Sequence, residues 1–246
     1  MKFRIRTGAL ALALLLAGCG EDGGNLSAAA GNNAAPIEPI AAPNNGDWRE
    51  MVAVTPEGGF RIGNPDAPVK LVEYASLTCP HCAAFSEEGT TALRDTYVRS
   101  GRVSWEYRSL LLSGPDLAMT VLARCQAPAA FFPTIEQLFA QQREILLAID
   151  EAESARIEAL PPEQQVAPLA RAMDLDTFFA RRGMPESRFS ACLGDPQNVQ
   201  RVTDMTNHAM RELQVSQTPT FIINGERQQA DRWSNLEPLL RAAIGG

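Results

Sequence analysis

A chain of 246 residues that is 45% hydrophobic and 21% charged has the make-up of a globular protein with a core of fair size, not of a disordered or fibrous one. Its formal charge is −7, falling to about −10 if a basic leader is removed. An acidic balance of this kind argues against nucleic acid and against broad electrostatic adhesion to anionic lipid.

Lys2, Arg4 and Arg6 form a basic start, and Ala9 to Ala17 an apolar segment too short to span a bilayer as a permanent helix. Residues 1–18 therefore read as an export signal. The signal ends in Leu16-Ala17-Gly18-Cys19, which resembles the bacterial lipobox and implies acylation of Cys19 and a lipid anchor in the cell envelope, facing the periplasm. That modification leaves Cys79, Cys82, Cys125 and Cys192, an even set that permits two disulfides in an oxidising compartment. Residues 19–50 are rich in Ala, Gly and Asn, with Pro36, Pro39 and Pro43 among them; such a segment buries too little apolar surface to offset its ordering entropy and is expected to be a flexible tether.

The folded part is expected from residue 51. Phe60-Arg61-Ile62 suits a short edge strand, and the turn cluster of residues 63–68 leads into Val69 to Ala75, an apolar run suited to a buried central strand. A helix is predicted from Ala83 to Tyr97, stopped near Gly101, and then a strand from Val103 to Arg108. Two parallel strands joined through a helix form a βαβ unit, whose crossover should be right-handed. Residues 51–115 thus make a first part of the domain.

Strand signals vanish in residues 116–193. Leu117 to Cys125, Phe131 to Ile149, Glu163 to Met173, Asp176 to Arg182 and Pro185 to Leu193 read as helices of an insertion, with Phe131, Phe132, Phe178, Phe179 and Phe189 as its core. Residues 194–246 return to the sheet. Asp195-Pro196 suits the cap and first position of a helix reaching Leu213, with Val199, Val202, Met205 and Met210 on one side. Thr218-Pro219 then opens an apolar strand ending in an Asn224-Gly225 hairpin turn, followed by a short strand near residues 227–229 and a helix from Trp233 to Ile244.

Between the strand at 69–75 and the helix after it stands Cys79-Pro80-His81-Cys82. Unpaired N–H groups and the macrodipole at a helix start stabilise a thiolate at Cys79, which lowers its pKa and makes it competent for disulfide exchange near neutral pH. His81 can add a hydrogen bond or a positive charge to that sulfur. The competing reading is half of a metal site, but structural zinc takes four ligands, and the sequence shows no second Cys or His pair. No metal or other cofactor is expected.

With VEYASLTCPHC and QTPTFIINGE set in the order βαβ, helical insertion, helix, ββα, the chain from about Phe60 to Ile244 resembles the DsbA-like branch of the thioredoxin superfamily. The resemblance implies an α/β thioredoxin fold with an inserted helical domain. It implies a cis peptide before Pro219 that brings the Thr218 backbone beside the Cys pair, where an extended substrate can align. Cys79 takes the attacking role, Cys82 the buried resolving role, and Pro80 and His81 the tuning roles. Glu73 falls where thioredoxin-like proteins often carry a buried acid that moves the proton of the inner Cys; the alternative is a strand Glu pointing to water. For Cys125 and Cys192 the resemblance implies a second disulfide in the helical domain, the alternative being two buried free thiols.

The function so implied is formation of disulfides in exported thiol-containing proteins, with a membrane oxidase restoring the Cys79-Cys82 disulfide. A reductase or isomerase is the alternative, to which Thr218 before the Pro points, and a copper(I) carrier using Cys79, Cys82 and His81 is a third reading.

Overall fold

The computed structural model describes residues 36–245. The export signal, the lipid site Cys19 and residues 19–35 lie outside the described residues.

Six strands form one mixed sheet in the order β1-β2-β4-β3-β5-β6: β1 Val52–Val54, β2 Phe60–Ile62, β3 Val69–Ala75, β4 Val103–Ser109, β5 Thr220–Ile223 and β6 Glu226–Arg227. β3 and β4 are parallel, with Leu71 beside Trp105 and Glu73 beside Tyr107, as a βαβ unit requires. The other pairs are antiparallel. β3 sits between β4 and β5 and is covered on both sides: Val69, Leu71 and Ala75 pack into the main core, and Tyr74 into a smaller one with Leu110, Ala209 and Val215. The Asn224-Gly225 turn has positive φ at both residues, 51° and 88°, as a two-residue hairpin between twisted strands demands.

Two expectations at the start of the domain are corrected. β2 is not an edge strand, because β1 pairs outside it; three half-exposed residues carry too little pattern to be read in advance. Residues 36–50 are not a free tether. Trp48 is buried (6% exposed) and its indole N–H donates to the Ile40 carbonyl at 2.8 Å, while the Ile40 N–H donates to Ser100 O at 2.7 Å and Arg102 Nε to Glu38 O at 2.7 Å. One aromatic anchor and two hydrogen bonds, to Ser100 and from Arg102, thus hold the segment on the domain, whose compact unit begins at Pro36. Gly101 (φ 72°) lies beneath Trp48, so close that a Cβ there would come within 2.5 Å of the indole nitrogen.

α1 (Pro80–Ala92) widens into a π-helical turn at Leu93–Val98 and connects β3 to β4. The insertion holds α2 (Gly114–Arg124), α3 (Phe131–Ala140), α4 (Gln142–Leu147), α5 (Glu151–Glu158), α6 (Pro162–Ala172), α7 (Leu175–Ala180) and α8 (Glu186–Gly194). The helix expected over 131–149 is broken at Gln141 (φ −106°, ψ 11°), where α3 ends and α4 begins. α5 was not expected; it is polar on nearly every side and buries only Ile157, so it has no apolar period to detect. Phe131 and Phe132 do more than fill the insertion. Phe131 stacks on Phe60 of β2 with centroids 3.7 Å apart and Phe132 packs on Trp105 of β4 at 4.7 Å, tying the helices to the sheet.

Cys125, just after α2, and Cys192 in α8 are joined by a disulfide with Cα atoms 6.2 Å apart. A cross-link across 67 positions contributes roughly 4 kcal/mol on the chain-entropy account. α9 (Pro196–Arg211) starts as its sequence suggests: the Asp195 carboxylate accepts from Gln197 N at 2.9 Å and Pro196 opens the helix. Val202 is buried in it, but Met210 is 51% exposed and leaves the expected apolar side. α10 (Trp233–Gly245) closes the fold.

Candidate active site

β3 ends at Ala75, and the turn Ser76–Thr78 delivers Cys79 as the cap residue of α1, with Pro80 at its first position. Proline fits there because the first helical N–H has no intrahelical acceptor to lose. Cys79 is 5% exposed and Cys82, one turn into the helix, is fully buried. Both are free thiols here. The Thr218–Pro219 peptide is cis, and the Cys79 thiol donates to the Thr218 carbonyl at 3.3 Å. Thr218 and Pro219, remote in sequence, thus stand against the attacking sulfur at the head of β5.

The two sulfurs are driven apart in acidity. As a thiolate, Cys79 gathers donors: first the Cys82 thiol, then the Thr218 hydroxyl and the backbone N–H groups of Cys82 and His81. Against the opposing effect of burial these hold its pKa down at about 5. Burial pushes the Cys82 thiol far up, helped by its hydrogen bond to Cys79 and by the charges of Cys79 and Glu73. One sulfur is therefore ionised and poised to attack while its neighbour keeps its proton. The His81 ring is exposed, and the donor this residue brings to the sulfur is its backbone N–H; the sequence had suggested the ring.

Glu73 is 1% exposed, so it does not point to water. Its Oε2 accepts from the Trp105 indole at 3.0 Å, and burial lifts its pKa to about 8. A carboxyl that titrates near neutrality, close enough to Cys82 to influence its ionisation, has the acidity needed to exchange a proton with that thiol. Beside Glu73 in the sheet, Tyr107 is buried with its hydroxyl unpartnered among the described residues.

Several contributors were invisible in sequence. Asp116, in the first turn of α2, is 1% exposed and accepts from Leu77 N (3.0 Å), Leu112 N (3.1 Å) and Ser76 Oγ (2.5 Å). Gln142, at the start of α4, donates through one Nε2 to the carbonyls of Leu77 (2.9 Å) and Cys79 (3.0 Å). Both come from the insertion and grip the turn that presents Cys79. Ser113-x-x-Asp116 is a readable helix start, with Ser113 accepting from Asp116 N, but nothing local tells where the carboxylate goes. Gln142 carries no signal at all.

A thioredoxin sheet with a helical insertion, a Cys pair opening α1 and a cis-proline loop against the outer sulfur define a thioredoxin-fold protein of the DsbA-like form. The chain belongs to the thioredoxin family, whose model, described as Thioredoxin, matches residues 55–242. It is 23% identical over 188 residues to a Rickettsia bellii protein provisionally named protein-disulfide oxidoreductase, covering 76% of this chain and 65% of that one. A Rickettsia felis protein of the same name is 24% identical, with 77% of this chain and 58% of that protein covered, so the chain spans about three fifths of the length of these curated relatives. Among solved structures, a protein-disulfide isomerase from Novosphingobium aromaticivorans aligns with a TM-score of 0.72 and 27% identity, over 76% of this chain and 97% of that one. The Wolbachia pipientis alpha-DsbA1 aligns at 0.62 and 18%, over 80% and 96%, and speaks for the fold alone.

Proposed function

We propose that the protein is a thiol:disulfide oxidoreductase that oxidises thiol-containing exported proteins through Cys79 and Cys82. The observation that carries this reading is the cluster of donors around Cys79, which favours its thiolate and so the reduced form of the pair. At pH 7 a thiol with pKa near 5 stabilises the reduced state over one with pKa near 7 by somewhat less than two decades, or roughly 50 mV for a two-electron couple. That supports a pair more oxidising than thioredoxin.

In the forward reaction a substrate thiolate attacks Sγ of Cys79 in the Cys79–Cys82 disulfide. The sulfur–sulfur bond breaks, its electron pair goes to Cys82, and a mixed disulfide forms. Cys82 takes up a proton, for which the neutral Glu73 is the adjacent source. A second substrate thiolate then attacks the substrate sulfur of the mixed disulfide and releases Cys79 as the thiolate. The substrate has lost two electrons, which the enzyme holds as its dithiol until a membrane oxidase accepts them. Thr218 and Pro219 supply the backbone against which the substrate lies, and the exposed Leu112 (56%), whose N–H is fixed by Asp116 beside the active-site turn, gives an unfolded chain an apolar contact. The export signal read in residues 1–18 and the lipobox-like sequence ending at Cys19 support a periplasmic site for this chemistry.

The resemblance to a named isomerase supports a second reading, rearrangement of wrong disulfides. Two measurements separate them: the reduction potential of the pair, and turnover of a reduced unfolded substrate against a scrambled one. A potential well above that of thioredoxin with fast oxidation of the reduced substrate supports the oxidase; a potential near thioredoxin's, with activity on the scrambled substrate only, overturns it.

A further inference from the structure

Across β3 from Glu73, on the side to which Tyr74 points, lies a cavity of 720 Å³ that the Cys pair does not line. Its walls are the turn between β1 and β2, the end of β4 and the exposed side of α9. Three arginines meet there in a protein of net negative charge. Arg108 is neutralised by Glu106 at 2.7 Å. Arg124 is not. It donates to the Gly58 carbonyl at 2.7 Å and lies 5.1 Å from the centroid of the Phe60 ring, with no carboxylate in ion-pair range among the described residues. Arg201, from α9, is likewise without a carboxylate partner among them and lies close enough for its charge to act on Arg124.

Two like charges that repel each other, one of them half-buried, are costly unless something negative completes the set. Burial and the Arg201 charge indeed hold the Arg124 guanidinium down to about 10. Of the acids on the rim, Glu57 faces Arg108 at 3.6 Å, and Asp204 accepts from the Gln200 amide at 2.7 Å with no arginine in ion-pair range among the described residues. Beside the cations the wall is apolar, formed by Pro56, Met205 and Val54, the last 50% exposed. A concave site of this volume, with a few convergent charges against an apolar wall, has the make-up of a small-molecule pocket.

We propose that this cavity binds a small organic anion, its carboxylate or phosphate-ester head between Arg124 and Arg201 and its apolar body against Val54, Pro56 and Met205. Guanidinium groups suit both heads through paired N–H donors. The site is separate from the Cys pair and does not depend on the direction of disulfide exchange.

Calorimetric titration of the purified full chain with benzoate and with phenyl phosphate tests it, with inorganic phosphate and phenol as head-only and body-only controls. At least one organic anion should bind at one per chain, with millimolar affinity or tighter as an order of magnitude, more weakly as salt rises and better than either control. Arg201→Gln, on the exposed face of α9, and Arg124→Gln should each weaken binding by about tenfold or more. Cys79→Ser should bind as the parent does. Should Arg124→Gln fail to fold, Arg201→Gln alone decides. No binding by either organic anion, binding untouched by Arg201→Gln, inorganic phosphate binding as well as phenyl phosphate, or loss of binding in Cys79→Ser would each overturn the proposal.

Discussion

Asp116 holds the backbone of Leu77: its Oδ1 accepts the Leu77 N–H at 3.0 Å, two residues ahead of the attacking cysteine and 39 positions away in sequence. The insertion is thereby part of the active site, because the same carboxylate also binds Ser76 Oγ and Leu112 N. Replacement by Ala leaves those buried donors without an acceptor and should cost about 3 kcal/mol or more. Asn keeps one acceptor oxygen and should cost less. If Asp116 positions the turn, the Cys79 thiolate titration, followed by its ultraviolet absorbance, should move in Asp116→Asn while the far-ultraviolet spectrum does not. An unchanged titration would reduce Asp116 to a stabilising role.

The two active-site sulfurs should fail in different ways. Cys79→Ser removes the outer sulfur of the pair and should abolish exchange. Cys82→Ser keeps the attacking thiolate but deletes the internal escape, so mixed disulfides should accumulate and be visible on non-reducing gels. In the reduced protein Cys79 should react first with an alkylating agent at neutral pH, since it is ionised there and Cys82 is both buried and protonated. First labelling at Cys82 would reverse the two roles.

What could be read in the sequence was local. The apolar run of β3, the Cys pair at the head of a helix, the Pro that opens β5 and the Asn-Gly turn each announce themselves within a few residues. Features made by distance did not. Val52–Val54 becomes a strand only because β2 is there to pair with it, and residues 36–50 are held by the buried Trp48 and by bonds to Ser100 and Arg102, far along the chain. Gln142 looks like any polar helix residue until the fold sets it under the Leu77 and Cys79 carbonyls. Glu73 lies between: its place in an apolar strand hinted at burial, but its partner Trp105 and its neighbour Tyr107 come from the adjacent strand.

His81 offers two contributions that substitution can separate. His81→Ser removes the ring but keeps the backbone N–H that points at the Cys79 sulfur. His81→Pro removes both, at a helical position where proline is tolerated. Pro should raise the Cys79 pKa and make the potential more negative, since the reduced form loses that donor, and Ser should have a much smaller effect. Loss of one charge-assisted hydrogen bond corresponds to some tens of millivolts, about 30 mV for each 1.4 kcal/mol. Paired thiolate and glutathione redox titrations would measure both; equal effects of Ser and Pro would place the stabilisation in the ring.

Glu73 makes the stability of the fold depend on pH, and the net slope differs between redox forms. Burial raises this carboxyl from 4.5 to about 8, so between those values the folded chain holds a proton that the unfolded chain has released. Its contribution is complete below pH 4.5 and is lost as pH rises through 8, with an upper limit of roughly 5 kcal/mol. Asp116, raised to about 6 by burial, acts with the same sign at lower pH, so the interval from pH 6 to 8 isolates Glu73. In the oxidised protein neither active-site Cys titrates, and urea unfolding should show stability falling across that interval. In the reduced protein Cys79, lowered from 9.0 to about 5, adds stability as pH rises through the same interval, and the two slopes should nearly cancel. Glu73→Gln should flatten the oxidised curve and make the reduced one rise. The same variant should slow the step in which Cys82 gains or loses its proton, because an amide cannot supply or accept it. Parallel slopes in the two redox forms of the parent protein would contradict the Cys79 thiolate, and an oxidised slope that survives in Glu73→Gln would mean that the titrating group is another.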